Sequence, residues 1–228
     1  MKTLFITGID TGIGKTYVGR ILVKALNKSG YSCVPRKPVE SGCETSNDEL
    51  IPEDALKYFH AANEKIPLEE ICPYRYEPPI SPERAIRLAN EVVTVKDLVN
   101  RCTPVNNPDY LFIEGAGGFY SPLCSDGLNA DLAQKLKANM ILVVKDRLGC
   151  INQALLNIEA IKNRKLKLLA VVLNQTREHE ESSMDNLDDL RMRLSIPVIP
   201  IPNMVDADQT MLDMQYNAID ELLRIIQA

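Results

Sequence analysis

The stretch Ile6–Val18, ITGIDTGIGKTYV, sets a glycine-rich turn in front of Lys15 and Thr16. Phosphate-binding P-loops read G-x-x-x-x-G-K-[ST], and Gly14, Lys15 and Thr16 supply the right half. The left glycine belongs at position 9, but Ile9 stands there and Gly8 comes one residue early. Such a loop binds polyphosphate, because backbone N–H groups and a helix N-terminus face the anion. Lys15 would meet the β- and γ-phosphates, and the Thr16 hydroxyl would ligate Mg²⁺. Gly12 and Gly14 also spell G-x-G. Tyr17 occupies the third glycine's place in a dinucleotide fingerprint, which argues against NAD.

A second acid should reach the metal from another strand end. YLFIEG delivers Glu114 directly after an apolar run, one carbon longer than the usual aspartate. Gly115, Ala116 and Gly117 follow, in a GAGG turn that lets backbone approach a phosphate. RKPVESG places Lys37 and Ser41 after another strand, where ligands of open α/β sheets bind. Asp54 in PEDALKY reads as a helix-start acid favoured by the helix dipole. RLGCINQALLN sets Gly149, Cys150, Ile151 and Asn152 at a helix start, a second possible anion site. Asn174 and Gln175 end one strand, and the Asn174 amide suits a base edge. Pro202, Asn203 and Met204 end the last strand. His60 and His179 stand isolated, which gives histidine catalysis little support.

Elements must bring these residues together. TLFITG is a short apolar run, and Tyr17, Val18, Ile21, Leu22, Ala25 and Leu26 recur behind it at helical spacing until Gly30. YSCVPRKPV reads as a strand whose prolines place it at an edge or end. Residues 53–62 read as helix, and the proline-rich segment 63–92 as an irregular excursion. Thr94 and Asp97 give a capping pattern for a helix to about residue 101. YLFIEGAGG, MILVVKD, LKLLAVVLNQ and IPVIPIPN are further strands with helical patterns between them. All-apolar strands alternating with helices predict a mainly parallel sheet with helices on both faces. The expectation is a single α/β domain of P-loop NTPase-like fold over 1–228.

A net charge of −5 disfavours nucleic-acid or anionic-membrane partners. No run of apolar residues has membrane-spanning length, and the N-terminus lacks a secretory pattern. The six cysteines include no pair closer than ten residues, so a zinc or redox C-x-x-C is excluded. Reduced cysteines and a cytoplasmic location are expected.

GIDTGIGKT, KPVESG, DAL, EGAGG, LGCIN and PIPN, in this order, resemble the dethiobiotin synthetase family over nearly the whole chain. That family's P-loop also carries its first glycine one place early. The resemblance implies an ATP- and Mg²⁺-dependent ligase that joins CO₂ to 7,8-diaminononanoate and closes a cyclic urea through a phosphorylated carbamate. It implies that Lys15 and Lys37 bracket the carbamate and γ-phosphate, and that Thr16, Asp54 and Glu114 surround the metal. Gly12, Ile13, Gly14, Lys15, Thr16 and Tyr17, with Glu114 to Gly117, would line the nucleotide. Asn174, Gln175 and Pro202–Met204 would frame adenine. Ser41 and Gly149–Asn152 would contact substrate in a homodimer, at the subunit interface.

Two positions depart from the family pattern. Glu83 in SPER stands where many members have histidine, and Gln175 where aspartate is frequent. Two rival readings remain. An amidoligase of the same superfamily would need a glutaminase domain for which the chain has no room. A partitioning-type ATPase switch would carry a signature lysine where Asp10 stands.

Overall fold

The computed structural model describes residues 1–175, 184–204 and 207–228, so His179 lies outside the described residues. β1 (Lys2–Gly8) leads into the glycine-rich loop, and α1 (Lys15–Lys28) starts from Gly14. β2 (Cys33–Arg36) and the short β3 (Val39–Ser41) follow, then a hairpin of β4 (Glu44–Ser46) and β5 (Glu49–Ile51). Next come α2 (Glu53–Ala61), α3 (Leu68–Ile71), β6 (Tyr74–Tyr76) and α4 (Pro82–Leu88). The segment 63–92 is thus more regular than its prolines predict. Pro67 and Pro82 sit at the starts of helices, where a missing N–H costs nothing, rather than inside them. β6 pairs in parallel with β3, which folds the excursion back over the loop after β2.

α5 (Val95–Cys102) begins at Thr94, whose side chain and that of Asp97 cap each other's backbone as the sequence predicts. β7 (Tyr110–Glu114), the small hairpin β8 (Pro122–Cys124) and β9 (Gly127–Leu128), and α6 (Asn129–Lys135) follow. The chain ends with β10 (Asn139–Lys145), α7 (Cys150–Asn163), β11 (Leu168–Asn174), α8 (Asn186–Arg193), β12 (Val198–Ile201) and α9 (Gln209–Gln227).

Among the described residues, the central sheet runs β12-β11-β10-β1-β7-β2, with every neighbouring pair parallel. β2 lies at the edge, where Pro35 can lack an N–H without breaking a central ladder. Successive side chains point to opposite faces. Leu4 and Ile6 pack with α1, α2 and α9, while Phe5 packs with α5 and α6 on the other side. α7 and α8 cover Leu142, Val144 and Val171 farther along. Both faces are therefore buried, which is why the strands are apolar throughout rather than alternating. Strands in register end together. Ile6 pairs with Glu114 and Arg36 with Ile113, so the loop after β1, Glu114 and Lys37 meet at one edge of the sheet. None of the described helices is long and apolar enough to cross a membrane.

Candidate active site

The P-loop is held by backbone that only glycine adopts cheaply. Gly14, the N-cap of α1, has φ 93°, and a Cβ there would lie 2.2 Å from Asn174 Nδ2. Asn174 donates this amide to the Ile13 carbonyl at 2.9 Å, so the end of β11 supports the loop from behind. Lys15 curls back, and its ammonium donates to the Asp10 carbonyl at 2.6 Å.

Opposite the loop, α1, α2 and the turn after β2 converge on one carboxylate at the end of β7. Glu114, buried at the end of β7, accepts on Oε1 from Lys37 at 2.6 Å and from Thr16 at 3.0 Å. Its Oε2 accepts from the Tyr58 phenol at 2.6 Å. Lys37 also lies 3.3 Å from Asp54 Oδ2. Asp54 occupies the first turn of α2, whose N-cap is Pro52 and carries no capping side chain. Glu40 takes over from β3, accepting from the Asp54 and Ala55 amides at 2.9 and 3.0 Å.

The two lysines are tuned in opposite directions. Burial pulls Lys15 down to about 8; Glu114 opposes this and Lys37 adds to it. Burial acts on Lys37 too, but Glu114, Asp54 and Glu40 together raise it above the ordinary lysine value. Burial would raise Asp54, yet the Lys37 and Lys57 ammonium groups hold it below the usual carboxylate range. Glu40 is raised, chiefly because its carboxylate is buried.

These groups face a cleft of 760 Å³, whose walls also include Gly12, Gly14, Tyr17, Ser41, Ala116 and Gly117. Ser41 donates to the Ile80 carbonyl at 2.6 Å, which ties the excursion to this wall. The GAGG turn is braced by Asn129, which accepts from the Ala116 amide and donates to the Ala116 and Gly118 carbonyls. Gly115 packs against that asparagine and Phe5. Glu83 points along the surface of α4 and pairs with Arg87 at 3.3 Å. Asn174, Gln175 and Pro202–Met204 gather at the ends of β11 and β12, where the Gln175 amide donates to Ile201. Gly149–Asn152 open α7 as the sequence predicts, but stand outside the cleft of their own chain. A second depression, lined by Tyr120, Leu156 and Asn157, shares Ser121 and Pro122 with the cleft wall.

Sequence reasoning does not single out Tyr58, Glu40 or Asn129. Tyr58 follows Asp54 by four residues and thus shares its helix face, which is the one signal that pointed there. Glu40 lies inside the quoted KPVESG, but its role depends on a helix start fourteen residues on.

The profile of a family described as "AAA domain" matches residues 2–209. In fold the chain is similar to the MinD cell division protein of Aquifex aeolicus, with a TM-score of 0.61 at 15% identity, covering 100% of this chain and 98% of that one. It is also similar to the septum site-determining protein MinD of Pyrococcus horikoshii, solved with Mg-ADP, with a TM-score of 0.55 at 15% identity, covering 95% and 86%. In sequence it is 40% identical to an ATP-dependent dethiobiotin synthetase of Ruthia magnifica over 77% of this chain and 80% of that relative. An enzyme of the same name from Aeromonas hydrophila is 35% identical over 91% and 95% of the two chains. Likeness of this degree, over more than three quarters of both sequences in each case, makes the chain a member of the ATP-dependent dethiobiotin synthetase family.

Proposed function

We infer that this chain makes dethiobiotin from 7,8-diaminononanoate, CO₂ and ATP, with release of ADP and phosphate. The observation that supports this most is the meeting of Lys15, Lys37, Thr16, Asp54 and Glu114 around one cleft. Phosphoryl transfer asks a protein for positioning and charge neutralisation more than for covalent chemistry.

One amine of the substrate attacks CO₂ and loses a proton, which gives a carbamate. A carbamate oxygen then takes the γ-phosphoryl group, breaking the bond to ADP and forming a carbamic–phosphoric anhydride. The second amine attacks the carbonyl carbon, loses its proton and expels phosphate as the ring closes. Lys15 and Lys37 neutralise the transferring phosphoryl oxygens and the carbamate. The P-loop amides hold the β-phosphate, and Gly115–Gly117 face the nucleotide across the cleft. Asn174, Gln175 and Pro202–Met204 frame the base, and the Asn174–Ile13 hydrogen bond links that subsite to the phosphate loop. Ser41 orients the substrate amines.

The oxygens of Thr16, Asp54 and Glu114 are a hard-donor set that suits Mg²⁺. The Lys37 ammonium lies against both carboxylates, so the spot favours positive charge. Mg²⁺ held there supplies charge neutralisation on phosphate oxygens.

The substrate's carboxylate lies at the far end of its chain from the amines, so a second anion site is needed. Gly149–Asn152 of a second copy would provide it in a homodimer. The exposed Tyr120 and Leu156, beside the depression that adjoins the cleft, give that copy an apolar surface to cover.

The test mixes the protein with Mg-ATP, bicarbonate and diaminononanoate. Dethiobiotin should appear by mass, and phosphate release should require both carbon substrates. Phosphate release without them, and no dethiobiotin, would identify a switch-type ATPase instead.

A further inference from the structure

Glu114 uses its two oxygens differently. Oε1 faces Lys37 and Thr16, the groups toward the cleft, whereas Oε2 is taken by the Tyr58 phenol at 2.6 Å. A glutamate has one more rotatable bond than the aspartate common at such strand ends, so its carboxylate needs an added restraint to face one way. Tyr58 is fully buried on α2, one turn after Asp54, so a single helix face carries both an acid of the cleft and the partner of the other acid. Its ring packs 6.0 Å from that of Phe112, which lies two residues before Glu114 on the same face of β7. The carboxylate oxygen can only accept, so the phenol is the donor of this bond.

Gly19 completes the arrangement. It lies in the interior of α1, where glycine is less stable than alanine. A Cβ at this position would sit 1.8 Å from the Tyr58 hydroxyl and 2.8 Å from Cζ. The missing methyl of Gly19 is therefore the space the phenol occupies.

We propose that Tyr58 is a positioning residue of the phosphoryl-transfer site, fixing Glu114 so that Oε1 faces Lys37, Thr16 and the metal, and that Gly19 is the clearance that admits it. The role in turnover rests on the function inferred above, while the hold on Glu114 does not. A hydrogen bond to a charged group is among the stronger ones, so its loss should be measurable at the metal.

The experiment measures Mg²⁺ and Mn²⁺ binding to the ADP-loaded protein by calorimetry, and separately the steady-state kinetics. Tyr58→Phe removes one oxygen and keeps the ring. It should weaken metal binding and lower kcat by about tenfold each, with KM for diaminononanoate unchanged. Gly19→Ala should reproduce the metal defect by displacing the phenol. In a Tyr58→Leu background, which lacks the phenol and leaves only the 3.1 Å approach of a Cβ to the Phe112 ring, Gly19→Ala should cause no further loss of metal affinity. The parent, Gly19→Ala, Tyr58→Leu and the double variant thus form a cycle with strong coupling. Metal affinity unchanged in Tyr58→Phe, or losses at Gly19 and Tyr58 that simply add, would overturn the proposal. If no dethiobiotin is formed by any variant but the binding cycle behaves as described, the inferred reaction fails and the hold on Glu114 stands. If dethiobiotin forms and Tyr58→Phe shifts nothing, the converse holds.

Discussion

The ammonium of Lys37 lies 2.6 Å from Glu114 and 3.3 Å from Asp54, whereas that of Lys15 rests on the Asp10 carbonyl. Removing each should therefore change stability in opposite directions. Lys37→Ala leaves Glu114 buried without its ion-pair partner, and breaking a buried pair from one side costs ~3–5 kcal/mol. Turnover should fall at least about a hundredfold, as for other lost charges at a reacting phosphoryl group. Thermal unfolding and single-turnover assays, run below both midpoints, separate the two effects; an unshifted midpoint would mean that the pair contributes nothing to the fold. Lys15→Met should abolish ATP binding yet stabilise the nucleotide-free, metal-free protein by up to about 3 kcal/mol, because it deletes a desolvated charge. Below pH 8 both folded and unfolded lysines hold their protons, and the folded state bears the full cost. Between about 8 and the ordinary lysine value of 10.5 the folded lysine has lost its proton and the unfolded one has not. The unfolded state then binds more protons, so the parent's stability rises with pH. The advantage of Lys15→Met should shrink across that window. Urea midpoints at pH 7 and 9.5 check it, and a gap that widens would reverse the assignment.

At the scale of elements, the cleft depends on how α2 begins. Pro52 provides no capping side chain, and Glu40 of β3 accepts the first amides in its place. Glu40→Ala should destabilise the fold by ~1–2 kcal/mol, the usual cost of a lost cap with its dipole term. It should also raise the Mg²⁺ needed for half-maximal activity, because Asp54 sits in the freed turn. Glu40→Gln keeps an acceptor and should lose less. A denaturation midpoint in Glu40→Ala equal to the parent's would rule out the cap. The P-loop, the strand ends and the edge position of β2 were legible in the sequence because each follows from local spacing: an apolar run, glycines, a lysine, or a proline in a strand. The regular pieces within 63–92 were not, since a proline opening a helix and one breaking it look alike until the partner strand β3 is known. Tyr58 was hidden for a related reason. Its hydroxyl gains a role only through a gap left by Gly19 on another helix, and one-dimensional spacing carries no record of that gap.

For the molecule as a whole, the separation of Gly149–Asn152 from their own cleft bears on the inferred dimer. If substrate spans two chains, a chain disabled at the cleft can lend its α7 to a partner disabled at α7. Gly149 has φ 84°, so a side chain there would strain the turn; Asn152, exposed in the first turn, is the cleaner position. Lys37→Ala mixed equally with Asn152→Trp, then dissociated and reassociated, should recover about a quarter of parental activity, since half the dimers form with one of two sites intact. No recovery would place a complete site in each chain. The same global arrangement has a consequence for how the chain is made. Among the strands of the central sheet β1 is made before the others, yet it lies between β7, which begins at Tyr110, and β10, which begins at Asn139. Its buried residues Leu4, Phe5 and Ile6 must therefore wait, apolar and unpaired, until β7 and then β10 are synthesised. Pairings between such distant segments close late and fold slowly. The strand that carries the nucleotide loop is thus the longest exposed to chaperones and to wrong partners, and the loop itself acquires its shape only when the sheet closes around it.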